Sequence, residues 1–281
     1  SSPEAWRAGF IAMGVMSFLS GLILLLVDEP PRGAAEQELA GVVQAGTQTV
    51  FRWSDLPALF RVSSWWLLLL HFVLNNAPIN ILGVFVFTWL TTLNLGPAVN
   101  LVLPIQALGI IAGHLLFGWL GDRAERRDAR RGRFLLGLIL LVGHALVLFA
   151  FVGLGAGSIA ALILLGLLNA LATGALESGV RIPMSQNVLP PELRGTGRAF
   201  IEMALGIVLA GTVTLFGWLV DQSGLGLTTL LLLTVPTVKL LAALAFLPLY
   251  WAYPQDVDRL HTALSQRRAA LLEGRSRPAE G

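Results

Sequence analysis

Gly118-Trp119-Leu120-Gly121-Asp122-Arg123-Ala124-Glu125-Arg126-Arg127-Asp128-Ala129-Arg130-Arg131-Gly132-Arg133 is the densest run of charge in the chain, and long apolar segments bound it on both sides. A short charged stretch so placed reads as a loop held at a membrane surface, because about 20 apolar residues in a helix cross a hydrocarbon core. Working outward, further apolar runs recur. They predict seven spans, at about 6–27 (A), 65–90 (B), 97–120 (C), 134–152 (D), 158–178 (E), 199–220 (F) and 227–251 (G).

Composition agrees. Apolar residues make up 55% of the chain and charged residues 13%, with a mean hydropathy of +0.74, whereas soluble domains carry about 25% charged residues. Two-residue alternation of the membrane-barrel kind is absent, so helices are the expected spanning element. No cysteine is present, which excludes disulfides, thiolate metal sites and thiol nucleophiles. Nothing in the sequence calls for a cofactor. The net charge of +2 comes almost wholly from Arg, Lys239 being the only Lys. These Arg residues sit at the edges of apolar runs, where lipid headgroups and membrane orientation account for them better than nucleic acid does.

The connections alternate in charge. The A–B segment carries Arg32, Arg52 and Arg61; the C–D loop carries Arg123, Arg126, Arg127, Arg130, Arg131 and Arg133; the E–F loop carries Arg181, Arg194 and Arg198; the tail carries Arg259, Arg267 and Arg268. The B–C, D–E and F–G connections have neither Lys nor Arg. The positive-inside rule then puts the first group and the C-terminus in the cytoplasm, in a multi-pass protein of the plasma (inner) membrane. In the A–B segment, Ser54 is placed to cap a short helix with Leu56, Leu59 and Phe60 on one interfacial face. From Asp256 onward, Val257, Leu260, Leu264 and Leu271 share one helical face, predicting an amphipathic tail helix that frays after Gly274.

One phrase occurs twice. Leu116-Phe117-Gly118-Trp119-Leu120-Gly121-Asp122 closes C, and Leu215-Phe216-Gly217-Trp218-Leu219-Val220-Asp221 closes F. Because C and F run in opposite directions, B-C-D and E-F-G read as inverted three-helix repeats preceded by one helix. The expected fold class is an all-α membrane bundle of about seven transmembrane helices.

These residues resemble the major facilitator superfamily. Its loop motif, Gly-x-Leu-small-Asp-Arg followed by basic residues, is similar to Gly118, Leu120, Gly121, Asp122, Arg123, Arg126 and Arg127; Glu125 stands where the family usually has Gly. Leu189-Pro190-Pro191-Glu192-Leu193-Arg194-Gly195-Thr196 resembles the segment before the family's eleventh helix. Glu29-Pro30-Pro31-Arg32-Gly33 resembles the exit from the sixth, somewhat as in the spinster-like branch. The resemblance implies that A is helix six and B to G are helices seven to twelve, with the N-terminal half of the transporter missing. It implies a last N-terminal helix at 1–27, a cytoplasmic linker at 28–63, a six-helix bundle at 64–253 and a cytoplasmic tail at 254–281. The activity implied is secondary transport of a small solute by alternating access, with or without a coupled proton, amid membrane lipids and with no nucleic-acid partner or enzyme activity.

Polar residues within spans point to a pathway, because hydrocarbon offers them no partners. Span B has His71 and Asn75 at one helical step and Asn76 and Asn80 at another, around Pro78. Span E has Asn169, Thr173 and Glu177 at steps of four. The resemblance makes B and E cavity-lining helices; interhelical hydrogen bonding is the competing reading for the Asn residues. Glu177 reads equally as a proton-coupling carboxylate or as the partner of Arg181, one turn on. Gln106, His114, His144 and Glu202 stand isolated, and Gly109 and Gly113 read as close helix contact. Asp122 with Arg123 reads as a conformational latch that engages the start of D or a neighbouring Arg; Arg126 and Arg127 are either part of it or topology signals.

Lys239 falls near the centre of G and must pair, deprotonate or face water. It motivates a rival reading, a seven-helix retinal-type photoreceptor with a Schiff-base Lys, but span C supplies no counter-ion before Asp122. No His, Asp and Glu set converges as an enzyme would require. A non-transporting scaffold or receptor is the remaining alternative. Few fixed charges in the spans favour a neutral or lipophilic solute.

Overall fold

The computed structural model describes residues 5–27 and 56–276. Seven of the described helices are long and apolar enough to cross a membrane, and the chain divides into two units, Ser1–Thr49 and Val50–Gly281. In the first, α1 (Ala5–Leu24) is an apolar helix of 20 residues. The cap expected at Ser54 and the Glu29–Gly33 phrase lie outside the described residues.

The second unit starts with a single turn, α2 (Leu56–Leu59). Six spans follow: α3 (Ser63–Thr92), α4 (Val102–Arg127), α5 (Gly132–Gly153), α6 (Ile159–Leu176) continued by a π turn (Glu177–Arg181) and α7 (Ile182–Asn187), α8 (Arg194–Gln222), and α9 (Leu227–Phe246). The tail helix is α10 (Leu249–Ser276). Leu59 is buried while Phe60 stays exposed, so only part of the expected interfacial face lies at the surface.

The helices overrun the predicted bounds at the charged end, for local reasons. Ala124, Glu125, Arg126 and Arg127 favour helix, and Arg126 and Arg127 in the last turn suit the negative end of the helix dipole. Asp122 therefore lies inside α4 rather than at its end. The role of accepting backbone N–H groups at the start of D falls instead to Asp128, whose Oδ1 accepts from Arg130 and Arg131, each at 3.0 Å. Asp128→Ala should cost about 1 kcal/mol, read as a small drop in melting temperature. Span G ends early, at Phe246; a turn at Leu247-Pro248 separates it from α10. On α10, Val257 and Leu264 are buried and Leu260 and Leu271 half-buried, and the helix runs two residues past Gly274.

Most of the packing repeats under inversion. Pairing B with E, C with F and D with G takes α3 against α8 onto α6 against α4, α3 against α9 onto α6 against α5, and α5 against α9 onto itself; all five contacts are present, whereas the contact of α4 with α5 has no comparable counterpart between α8 and α9. The α4–α6 seam is tightest because it is built of small residues. An added Cβ at Gly113 would collide with the Leu171 carbonyl oxygen, and one at Gly174 with that of Ile110. Gly109 faces Ala170, and Gly121 faces the backbone of Gly179.

Two apolar clusters fill the interior. One, at the charged end, gathers Trp65, Phe72, Phe134, Met184, Phe246 and Tyr253; the other gathers Trp89, Phe151, Leu162, Phe216 and Leu231. Between them, by position along their helices, lie the buried polar residues Asn75, His144, Asn169 and Lys239, with His71 at the edge.

Candidate functional site

This polar layer is stitched across four helices. Lys239 on α9, 0% exposed, donates to Asn75 Oδ1 on α3 at 2.6 Å. His71 Nδ1 lies 3.1 Å from the Ala242 carbonyl. Because a carbonyl only accepts, Nδ1 holds the hydrogen and Nε2 is left bare. His144 Nε2 on α5 lies 2.9 Å from Asn169 Oδ1 on α6; by the same logic its Nδ1 is bare. Lys239 is thus paired with a neutral amide and with no carboxylate among the described residues, while His144 and Asn169 pair through Nε2 and Oδ1 alone.

The Asn pair that brackets Pro78 behaves differently. Asn76 donates to the Phe72 carbonyl at 2.8 Å and Asn80 to the Asn76 carbonyl at 3.0 Å, each one turn back on the same helix. Proline removes one backbone donor from α3, and these amides add donors nearby. Both residues remain half-buried.

Beside the layer lies a half-open cavity of about 150 Å³ lined by α3, α4, α5 and α6. Leu82, Gly83 and Leu148 help to form its apolar wall, and Gln106, Asn169 and Thr173 are its polar lining. Thr173 donates to the Asn169 carbonyl at 2.9 Å, and the Gln106 amide nitrogen is buried without a partner among the described residues. Of the polar residues singled out in the sequence, the cavity takes in Asn169, Thr173 and Gln106; His71, Asn75, Asn76 and Asn80 are not part of its lining.

The E stripe ends in a charged knot. Glu177 pairs with Arg181 one turn on and with Arg198 of α8 at 3.4 Å; Arg198 also pairs with Glu202. Arg181 corrects the loop count: it sits within a continuous span, 1% exposed, with its guanidinium over the Phe72 ring at 4.8 Å. Arg198 likewise belongs to α8, and Glu202 is not isolated.

At the charged end the central residue is Arg133. Its side chain, 6% exposed, donates to Asp122 at 2.6 Å, to Glu125 at 2.8 Å and to the Gly179 carbonyl at 2.9 Å. Pro183, four residues after Gly179, has no N–H to give that carbonyl. Arg133 fills the vacancy, joining α4, α5 and the π turn. Glu125 also accepts from Asn187 at 2.6 Å, so where the family usually has Gly this chain uses a carboxylate. Arg123 instead lies against Trp119 of its own helix, and Arg126 and Arg127 are exposed. Of the motif glycines, Gly121 is in the tight seam, whereas a Cβ at Gly118 would meet only Ser178 Oγ at 3.9 Å. Gly118→Ala should therefore fold normally and Gly121→Ala poorly, as monodisperse yield in detergent would show.

Tail and bundle are tied at the same end. Asp256 accepts from the Ser64 backbone and hydroxyl at 2.8 and 2.7 Å, Arg267 pairs with Glu192 at 3.1 Å and Arg130 with Asp258 at 3.1 Å. Tyr253 is buried and accepts from Asn187. Burial pushes its hydroxyl up to about 12. The folded state therefore retains a proton that the unfolded chain loses near pH 10, so stability should fall between about pH 10 and 12. Tyr253→Phe should flatten that alkaline limb in a denaturation series.

A multi-pass helical bundle with an inverted repeat and a polar layer at mid-span is the architecture of a membrane transporter. The family model described as Major Facilitator Superfamily matches residues 2–210, and the chain belongs to that superfamily. Curated proteins compared with the chain give no match.

Proposed function

We propose that this protein is a secondary transporter working by alternating access, with 64–253 as the C-terminal bundle, 28–63 as the linker and an N-terminal bundle, ending at 1–27, completing the pathway. The reading rests on the cavity among α3, α4, α5 and α6. Its largely apolar wall, with Gln106, Asn169 and Thr173 as polar points, suits a small neutral or lipophilic solute. The half-buried Asn76 and Asn80 extend the pathway along α3, and Glu177 borders it. The charged end faces the cytoplasm, an orientation the Arg distribution supports, and the membrane is the plasma (inner) membrane. There Asp122 and Glu125, clasping Arg133, form the latch that opens when the bundles rock; Gly118, Arg123, Arg126 and Arg127 frame it.

The test is uptake and efflux of a panel of neutral and lipophilic solutes by the full-length protein in proteoliposomes. Gly83→Trp grows into open space at the cavity wall and should cut transport at least about tenfold while the protein remains monodisperse, in line with the steep dependence of turnover on placement. Unchanged transport would remove the cavity from the pathway. Asp122→Asn should slow turnover with little change in apparent affinity.

A further inference from the structure

We infer that Lys239, His71 and His144 form an internal proton site, binding and releasing one proton inside the bundle without a carboxylate. The inference rests on the transporter reading only for its use, as the coupling site.

The geometry supplies three bases and one acceptor. Lys239 is fully buried and, among the described residues, its one hydrogen-bond partner is the Asn75 amide oxygen; an ammonium carries three donors. His71 and Asn75 are one turn apart on α3, and they meet Ala242 and Lys239, one turn apart on α9. Across α9, His144 of α5 completes the set. The tautomers imposed by Ala242 and Asn169 leave His71 Nε2 and His144 Nδ1 bare, and both are buried without a partner among the described residues. Helix α9, which carries Lys239, packs against both α3 and α5, which carry the two rings, and the nearby Arg181 is paired with Glu177.

Charge accounting then restricts the cluster. A permanent buried ammonium without a counter-ion is costly, and two positive charges among these three bases would repel each other. One proton is therefore the capacity. Its binding forms one N–H bond and breaks none but that of the donating hydronium, and its release returns it to water. The His144–Asn169 hydrogen bond connects the site to the cavity, since Asn169 is part of the cavity lining. A solute engaging Asn169 thereby alters the hydrogen bonding of His144.

Lys239 is the only Lys in residues 1–281, and selective ¹³C,¹⁵N-lysine labelling of the purified full-length protein in nanodiscs gives its side-chain signal, assigned by its loss in Lys239→Arg. We expect it to move between amine and ammonium positions over about pH 5 to 9, and its midpoint to shift by about one unit in H71Q or H144Q. A signal fixed at the ammonium position and indifferent to both variants would overturn the proposal. Should either variant misfold, ¹⁵N-histidine labelling of the wild type decides. Two His signals must change in step with that of Lys239, and independent titration would overturn the site. No solute is used, so a static Lys239 leaves the transporter reading intact, and failed transport leaves the proton site intact.

Discussion

Gly113→Leu should abolish the folded protein. The obstacle to a side chain at this position is the Leu171 carbonyl oxygen, part of the backbone of α6, with the Ala175 nitrogen 3.0 Å away. A flexible neighbour could rotate aside; a helix backbone must translate. The contact is reciprocal, since Gly174 faces the Ile110 carbonyl across the same seam. Separating α4 from α6 would thin the whole run from Gly109 to Gly121 and pull Arg133 from the Gly179 carbonyl. Overpacking a core costs about 1–3 kcal/mol where side chains can adjust, and here the cost should exceed that range. Size-exclusion profiles in mild detergent should show aggregation for Gly113→Leu and a weaker defect for Gly113→Ala. Gly143→Ala, which meets open space, is the control, and a monodisperse Gly113→Leu protein would contradict the seam.

The second large effect is an asymmetry. Asn75→Leu removes the one hydrogen-bond acceptor that a fully buried Lys has among the described residues and should cost about 3 kcal/mol or more. Adding Lys239→Met should recover most of it, because an apolar pair of similar volume leaves no buried donor unpartnered. The two substitutions are in direct contact and will not add. A double-mutant cycle on thermal unfolding reads the coupling; simple additivity would show that the 2.6 Å contact contributes little.

Much of this was legible along the chain. Seven apolar runs, the alternating Arg loops and the repeated Leu-Phe-Gly-Trp phrase predict an inverted helical bundle, because span length and hydropathy are local properties that the membrane reads segment by segment. Gly109 and Gly113 announced a close seam for the same reason. Asn75, His144, Asn169 and Lys239 each stand near the middle of a span, so aligning the spans by depth would have grouped them, although spacing within one span could not.

Pairing was settled only by the tertiary structure, since a hydrogen bond between residues 75 and 239 leaves no local trace. Arg181 and Arg133 show this most clearly. Both read as loop charges, yet one is buried against Phe72 and the other fills the carbonyl that Pro183 leaves open. Chain composition determined that this protein crosses the membrane as helices and how those helices alternate. Which polar groups meet inside was decided by packing, because burial withholds water and leaves each buried polar group dependent on the neighbours the fold provides.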